Sequence, residues 1–205
     1  SLITYPAADT RETAVSFRRV NGIYARGRSR TNEIEAKAVV AEVVQRLRDP
    51  KRNRLSVGVV TLNAEQQRLV EDLLDQERRA DPDIERFFRV SDTTTQADRA
   101  EPVFVKNLET VQGDQRDVIL LSVGYGPTEP GARTMSMTFG PLNRQGGERR
   151  LNVAITRARA ELHVFASITA DQVDLARTRA IGVRDLKAFL DFAERGPAAL
   201  PARDE

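Results

Sequence analysis

Four short apolar runs, separated by segments of helical periodicity, constrain this chain more than any other feature of its sequence. They are Val57-Gly58-Val59-Val60, Val103-Phe104-Val105, Val118-Ile119-Leu120-Leu121 and the run at 162–166. The third is apolar at every position, as expected of a strand covered on both faces. Between the runs, Ile34, Ala38, Ala41, Val44 and Leu47 recur at helical spacing, and so do Leu69, Val70, Leu73 and Leu74. Asn32 with Glu35 three positions on reads as a capping box, and Asn63 with Gln66 as a second helix start. Asp49-Pro50 stops the first of these helices. Further helices are predicted over 148–159 and about 183–195, the last ended by Gly196-Pro197. A looser alternation at Val15, Phe17, Val20 and Ile23 allows one more strand. Residues 1–14 are irregular, 80–101 form a polar connection with a short helical piece at 84–88, and 124–147 are mostly loop. Strands and helices alternate, so the expectation is an α/β fold: a parallel sheet with helices on both faces, one domain over 1–205, and a linker-like tail at 196–205. In such sheets ligands gather at the carboxyl ends of the strands, which points to the segments after 61, 105, 123 and 167.

Composition removes several function classes. The chain has 205 residues, 40% of them hydrophobic and 30% charged, yet its formal net charge is only +2. A basic binding surface must therefore be a local patch. Cationic residues are mostly arginine, the lysines being Lys37, Lys51, Lys106 and Lys187. With no cysteine, disulfides and thiolate metal sites are excluded. The single histidine, His163, stands between Leu162 and Val164 and reads as a strand residue, so no metal site is expected. No apolar stretch reaches membrane-spanning length and no signal peptide opens the chain, so the reading is a soluble, cytoplasmic protein without membrane partners.

The chemistry-bearing segments are three. Arg149-Arg150-Leu151-Asn152-Val153-Ala154-Ile155-Thr156-Arg157-Ala158-Arg159 reads as a helix with an apolar side (Leu151, Ala154, Ile155, Ala158) and several guanidinium groups. Arg150, Arg157 and Asn152 can be presented together near one end of a strand. A planar, permanently charged donor suits a phosphoryl group whose charge is spreading, although a solvated basic helix has the same pattern. Leu108-Glu109-Thr110-Val111-Gln112-Gly113-Asp114-Gln115-Arg116-Asp117 lies between two strands, so it sits at a sheet end. Its glycine permits close backbone approach to a ligand, or closes a tight turn. Val57 to Gln67 joins a strand to a helix start, where Asn63 is also a plain helix cap. No Gly-x-x-x-x-Gly-Lys-Ser/Thr phosphate loop occurs, and Gly-Lys is absent altogether.

These segments resemble superfamily 1 helicases, in the branch of the RNA-decay helicases and bacterial multidomain helicase-like proteins. Residues 149–159 are similar to motif VI, Arg-Arg-Leu-Asn-Val-Ala-Leu-Thr-Arg-Ala-Arg, differing only at Ile155. Residues 105–117 resemble motif V and 57–67 resemble motif IV; the likeness covers about residues 55–167. It implies the second RecA-like domain of the motor, a P-loop NTPase-like fold without its own P-loop. It further implies ATP as cofactor, with Mg2+ held by an absent first motor domain of the same polypeptide, and single-stranded DNA or RNA as partner. Residue by residue, Arg157 falls on the arginine finger and Arg150 on a supporting arginine. Gln112, Gly113, Gln115 and Asn152 fall on cofactor-facing positions. Thr61, Asn63, Lys106, Asn107 and Glu109 fall on nucleic-acid-facing ones.

The chain departs from the family in places. The family's first acidic residue of motif V is aspartate where Glu109 stands, the ribose-contacting glutamate is replaced by Gln115, and the motif IV aromatic is replaced by Leu62-Asn63. Two functions follow as expectations. One is a part of an ATP-dependent helicase, inactive alone. The other is a non-hydrolysing module that binds nucleic acid or protein on the same fold, which the Gln115 substitution encourages. A nuclease is not supported, because Glu109, Asp114, Asp117 and Glu129 form no metal-binding constellation.

Overall fold

Five strands carry the molecule in a computed structural model that describes residues 14–89, 101–132 and 134–199. They are β1 (Val15–Arg19), β2 (Val57–Thr61), β3 (Phe104–Asn107), β4 (Arg116–Ser122) and β5 (Ala158–Ala166). All pair in parallel, in the order β1-β5-β4-β2-β3. The expected irregular start, most of the 80–101 connection and the end of the tail lie outside the described residues.

The helices are α1 (Glu33–Arg48), α2 (Ala64–Ala80), α3 (Pro82–Glu85), α4 (Gly147–Ile155) and α5 (Ile181–Arg195). Strand pleating sends alternate residues to opposite faces. Val57, Val59, Val118, Leu120 and Phe165 meet α1, α2 and α3 on one face. Val60, Ile119, Leu121, Leu162 and Val164 meet α4 and α5 on the other. The sheet is therefore covered on both sides, as the continuous apolar runs require.

Two helical readings are corrected. On α1 the buried stripe is Ala36, Val39, Val40, Val43, Val44 and Leu47, while Ile34 is 49% exposed and Ala41 lies on the solvent side. The stripe was misplaced because a run rich in valine and alanine offers two overlapping helical faces, and only packing on β4 and β5 selects one. The helix expected over 148–159 ends at Ile155, and Ala158 already begins β5. Thr156 and Arg157 make the turn between them, where Thr156 Oγ1 donates to the carbonyls of Asn152 and Val153 at 2.9 and 3.0 Å. The Asn152 carbonyl also takes the backbone N–H of Thr156 at 3.2 Å, so the acceptor that the turn adds to the helix's own bonds is that of Val153.

Candidate functional site

A parallel sheet has two unlike edges, and the loops between its strands divide the candidate residues between them. Gln115 and Arg157 immediately precede β4 and β5, so both sit at the amino edge. The backbone N–H of Arg116 donates to the carbonyl of Arg157 at 3.1 Å, joining the segments at 108–117 and 149–159 where the two strands begin. Gln115 is exposed there; Gln112 and Gly113 are exposed earlier in the same loop, just after Val111, whose N–H donates to the carbonyl of Asn107 at the far end of β3 at 3.0 Å. Gly113 has φ +90°, and an added Cβ would meet nothing within 4 Å. The glycine is thus required by backbone conformation rather than by lack of space.

Arg157 is half-buried and folds back over the end of α4. Its Nε donates to the Val153 carbonyl at 2.8 Å and its Nη2 to Thr156 Oγ1 at 3.1 Å. A cation in this position also complements the negative end of the helix dipole. Nη1 keeps no protein partner among the described residues, so one side of the guanidinium is free for a ligand. The Oδ1 of Asn152 is buried without a hydrogen-bond partner. Arg150 donates to the Gln145 carbonyl at 3.1 Å, at the opposite end of α4 from Arg157. The chain therefore does not bring Arg150 and Arg157 to one point by itself. The amino edge offers donors and amides but no carboxylate cluster: among the described residues no group of His, Cys, Asp or Glu could hold a metal ion. Such donors suit anionic oxygens.

Asp117, inside the same segment, is structural. Its carboxylate accepts from Ser56 N at 2.9 Å, Ser56 Oγ at 2.8 Å and Arg159 Nε at 3.0 Å. Burial works against its ionisation, but these donors prevail and hold its pKa below the usual range. His163 lies on β5 between Ser16 Oγ (2.5 Å from Nδ1) and the Arg46 guanidinium (2.7 Å from Nε2), and belongs to the framework.

At the carboxyl edge the expected nucleic-acid residues meet one another. Thr61 is buried and donates to the Asn63 carbonyl at 2.7 Å. Asn63 caps α2 by accepting from Gln66 N at 2.7 Å. Asn107 accepts from Glu109 N at 2.8 Å and donates to Gln67 Oε1 at 2.7 Å. Lys106 pairs with Asp114, and exposed Glu109 has Arg144 Nη1 at 3.7 Å.

Beside them stands a polar cluster that the motifs did not signal. Glu35 is fully buried and accepts from Gly124 N at 2.6 Å, Ser122 Oγ at 2.8 Å and Ser167 Oγ at 3.0 Å. The capping box read from Asn32 and Glu35 is half right. Asn32 Oδ1 accepts from Glu35 N at 3.2 Å, but it is Gln66 Oε1 that accepts from Asn32 N at 2.8 Å. Glu35 instead turns inward between the ends of β4 and β5. Burial pushes its pKa up to about 7 against the lowering effect of those hydrogen bonds. This is the crevice where an open α/β sheet of this kind usually takes a ligand; here the chain's own side chains fill it.

A turn over residues 25–30 also went unread, though its signal was present as Arg26-Gly27-Arg28-Ser29-Arg30.

A family model described as an AAA domain matches residues 6–169. Two uncharacterized ATP-dependent helicases, from Mycoplasma pneumoniae and Mycoplasma genitalium, are each 33% identical to the chain over 175 residues, covering 85% of the chain. The chain spans only 14% of the length of these relatives. Among solved structures, the C-terminal domain of a possible DNA helicase from Lactobacillus plantarum aligns at 17% identity and a TM-score of 0.38, covering 63% of this chain and 67% of that one.

Proposed function

This chain belongs to the AAA domain family, with the RecA-like fold and motifs of the second domain of superfamily 1 helicases, and from that premise we propose that it completes the ATP site of a longer ATP-dependent helicase or translocase. Its partner is a first RecA-like domain on the same polypeptide, and the track is single-stranded nucleic acid. ATP, when bound, supplies the phosphoryl group and the driving free energy. The part played by this chain is to present Arg157 from the amino edge toward the phosphates, with Arg150 in support. Gln112, Gly113, Gln115 and Asn152 face the rest of the nucleotide. Mg2+ and the phosphate loop belong to the companion domain, consistent with the absence of Gly-Lys in this sequence.

The observation that carries this reading is the pairing of Gln115 and Arg157 at one exposed edge through the Arg116–Arg157 backbone hydrogen bond. Two segments 42 positions apart in sequence meet there, and the guanidinium keeps unpaired donors. A charge fixed in place stabilises developing phosphoryl charge without reorganising at the moment of reaction. In the longer polypeptide, Arg157→Ala is expected to lower ATP turnover about a thousandfold or more, while the melting temperature of the 205-residue chain changes little. Undiminished phosphate release by that variant would reject the assignment.

One observation favours a second reading: the amide of Gln115 stands where the family has a glutamate. A module that binds without hydrolysing tolerates that change most easily. Turnover of the longer polypeptide, measured with and without single-stranded nucleic acid, separates the two readings.

A further inference from the structure

Arg116, the first residue of β4, carries its charge into a buried position, 9% exposed. Buried cations are ordinarily matched by a carboxylate. Here the carboxylate nearest among the described residues is Glu101, 3.9 Å from Nη1, and Glu101 is already engaged by Arg159. Backbone carbonyls take the donors of Arg116 instead. Nε and Nη2 both donate to Pro102 O, at 3.0 and 2.8 Å, and Nη1 donates to Gln115 O at 2.6 Å. The guanidinium carbon stands 4.7 Å from the centre of the Phe104 ring, a cation–π contact. Phe104 lies opposite Gly58 in the pairing of β2 with β3, and a Cβ on Gly58 would come within 2.5 Å of the ring. The bare Gly58 thus lets the ring lie across β2, where it supports the guanidinium. Burial lowers the pKa of Arg116 from the usual arginine value, so the fold bears a cost to keep this charge.

Pro102 precedes β3 and Gln115 precedes β4, with β2 between the two strands. One side chain therefore ties two strand starts together along the amino edge. The backbone of the same residue reaches a third, since its N–H donates to Arg157 O at 3.1 Å. The sheet itself holds this corner poorly. Between Arg116 and Val118 the register slips, two steps along β4 matching three along β5. The regular ladder ends short of Gln115 and Arg157, and other bonds must fix them.

We propose that Arg116 is a positioning residue for the nucleotide, holding the Gln115 peptide so that the exposed Gln115 amide meets bound ATP. The inference rests on the motor reading above and adds a residue to its site. The guanidinium fork is turned to the carbonyls of Gln115 and Pro102, so it acts through Gln115 and not by touching the ligand. A peptide held at its carbonyl fixes the direction in which the Gln115 side chain leaves the backbone. A contact made from a fixed origin costs less entropy. Such a contact serves ground state and transition state alike, so its loss raises KM and spares kcat.

The test measures steady-state ATP hydrolysis by the longer polypeptide. Arg116→Met keeps an apolar stem on the Phe104 ring and removes the donors. Its KM for ATP is expected to rise about tenfold, the worth of one hydrogen bond to a charged group, with kcat within about twofold of the parent. Gln115→Ala should raise KM by a similar factor, and the double variant by no more than either, because the two residues act as one unit. Arg116→Lys keeps the charge but not the fork; it should leave KM raised, and it carries the same test should the methionine variant fail to fold. A KM restored by lysine would show that charge alone matters. Factors that multiply in the double variant would show that Arg116 acts apart from Gln115, and a fall in kcat with KM unmoved would make it framework. Each of these overturns the inference. An unmoved KM in Gln115→Ala overturns it too, and Arg157→Ala in the same assay then separates the failures: lost turnover keeps the motor reading, while undiminished turnover, or none in the parent, discards both.

Discussion

At the scale of single residues, Arg157 and Gly113 show two ways in which one position is committed. Arg157 packs on the α4 carboxyl terminus through Val153 and Thr156. Its side chain is therefore pre-oriented, which lowers the entropy cost of the contact proposed for it. Gly113 does nothing with its side chain and everything with its φ of +90°. Alanine at this position has open space around its Cβ but must adopt a conformation that L-residues disfavour. Gly113→Ala is expected to destabilise the chain by roughly 1 kcal/mol through the backbone alone. Urea unfolding measures this; a midpoint equal to the parent's would show that the turn relaxes freely.

At the scale of elements, α1 and α2 are locked together through their amino termini. Gln66 of α2 bonds both the N–H and the carbonyl of Asn32, at 2.8 and 3.1 Å, while Asn32 caps α1. Glu35 then reaches from α1 to the ends of β4 and β5. Its pKa rises from 4.5 to about 7 because burial disfavours the carboxylate. A group whose pKa is higher in the folded state makes that state bind the extra proton. Its contribution is fully present below the unfolded pKa near 4.5 and is lost as pH rises through about 7. The difference is on the order of 3 kcal/mol. Stability of the chain is thus expected to fall between pH 5 and 7 by that route. Glu35→Gln, which keeps the shape of the protonated acid, should flatten this part of the profile in thermal melts at several pH values. A profile for Glu35→Gln as steep as the parent's would place the titration elsewhere.

At the scale of the whole molecule, the sheet holds its two edges apart. β4 spans seven residues, or about 20 Å at the usual rise per residue. That distance lies between the edge bearing Arg157 and the edge bearing the turn over residues 25–30. The 205-residue chain by itself is expected to release no phosphate from ATP above the spontaneous rate. Sustained turnover by clean protein would contradict a site completed between two domains.

What local sequence determined is plain in particular elements. The all-apolar β4, the valine run of β2 and the two asparagine caps were legible because strand pleat, helix period and capping are set by neighbours a few positions apart. The resemblance at 149–159 was legible too, since that motif is contiguous in the chain. Tertiary structure alone decided which of two faces α1 buries, that β5 begins at Ala158, and that Glu35 leaves its cap to close the crevice between β4 and β5. It also decided which polar residues remain free: Asn107 and Thr61 are consumed, while Arg26 and Arg28 are not. These outcomes depend on contacts between segments far apart in the chain. Burial and hydrogen-bond saturation are properties of an assembled surface, and no local pattern encodes them.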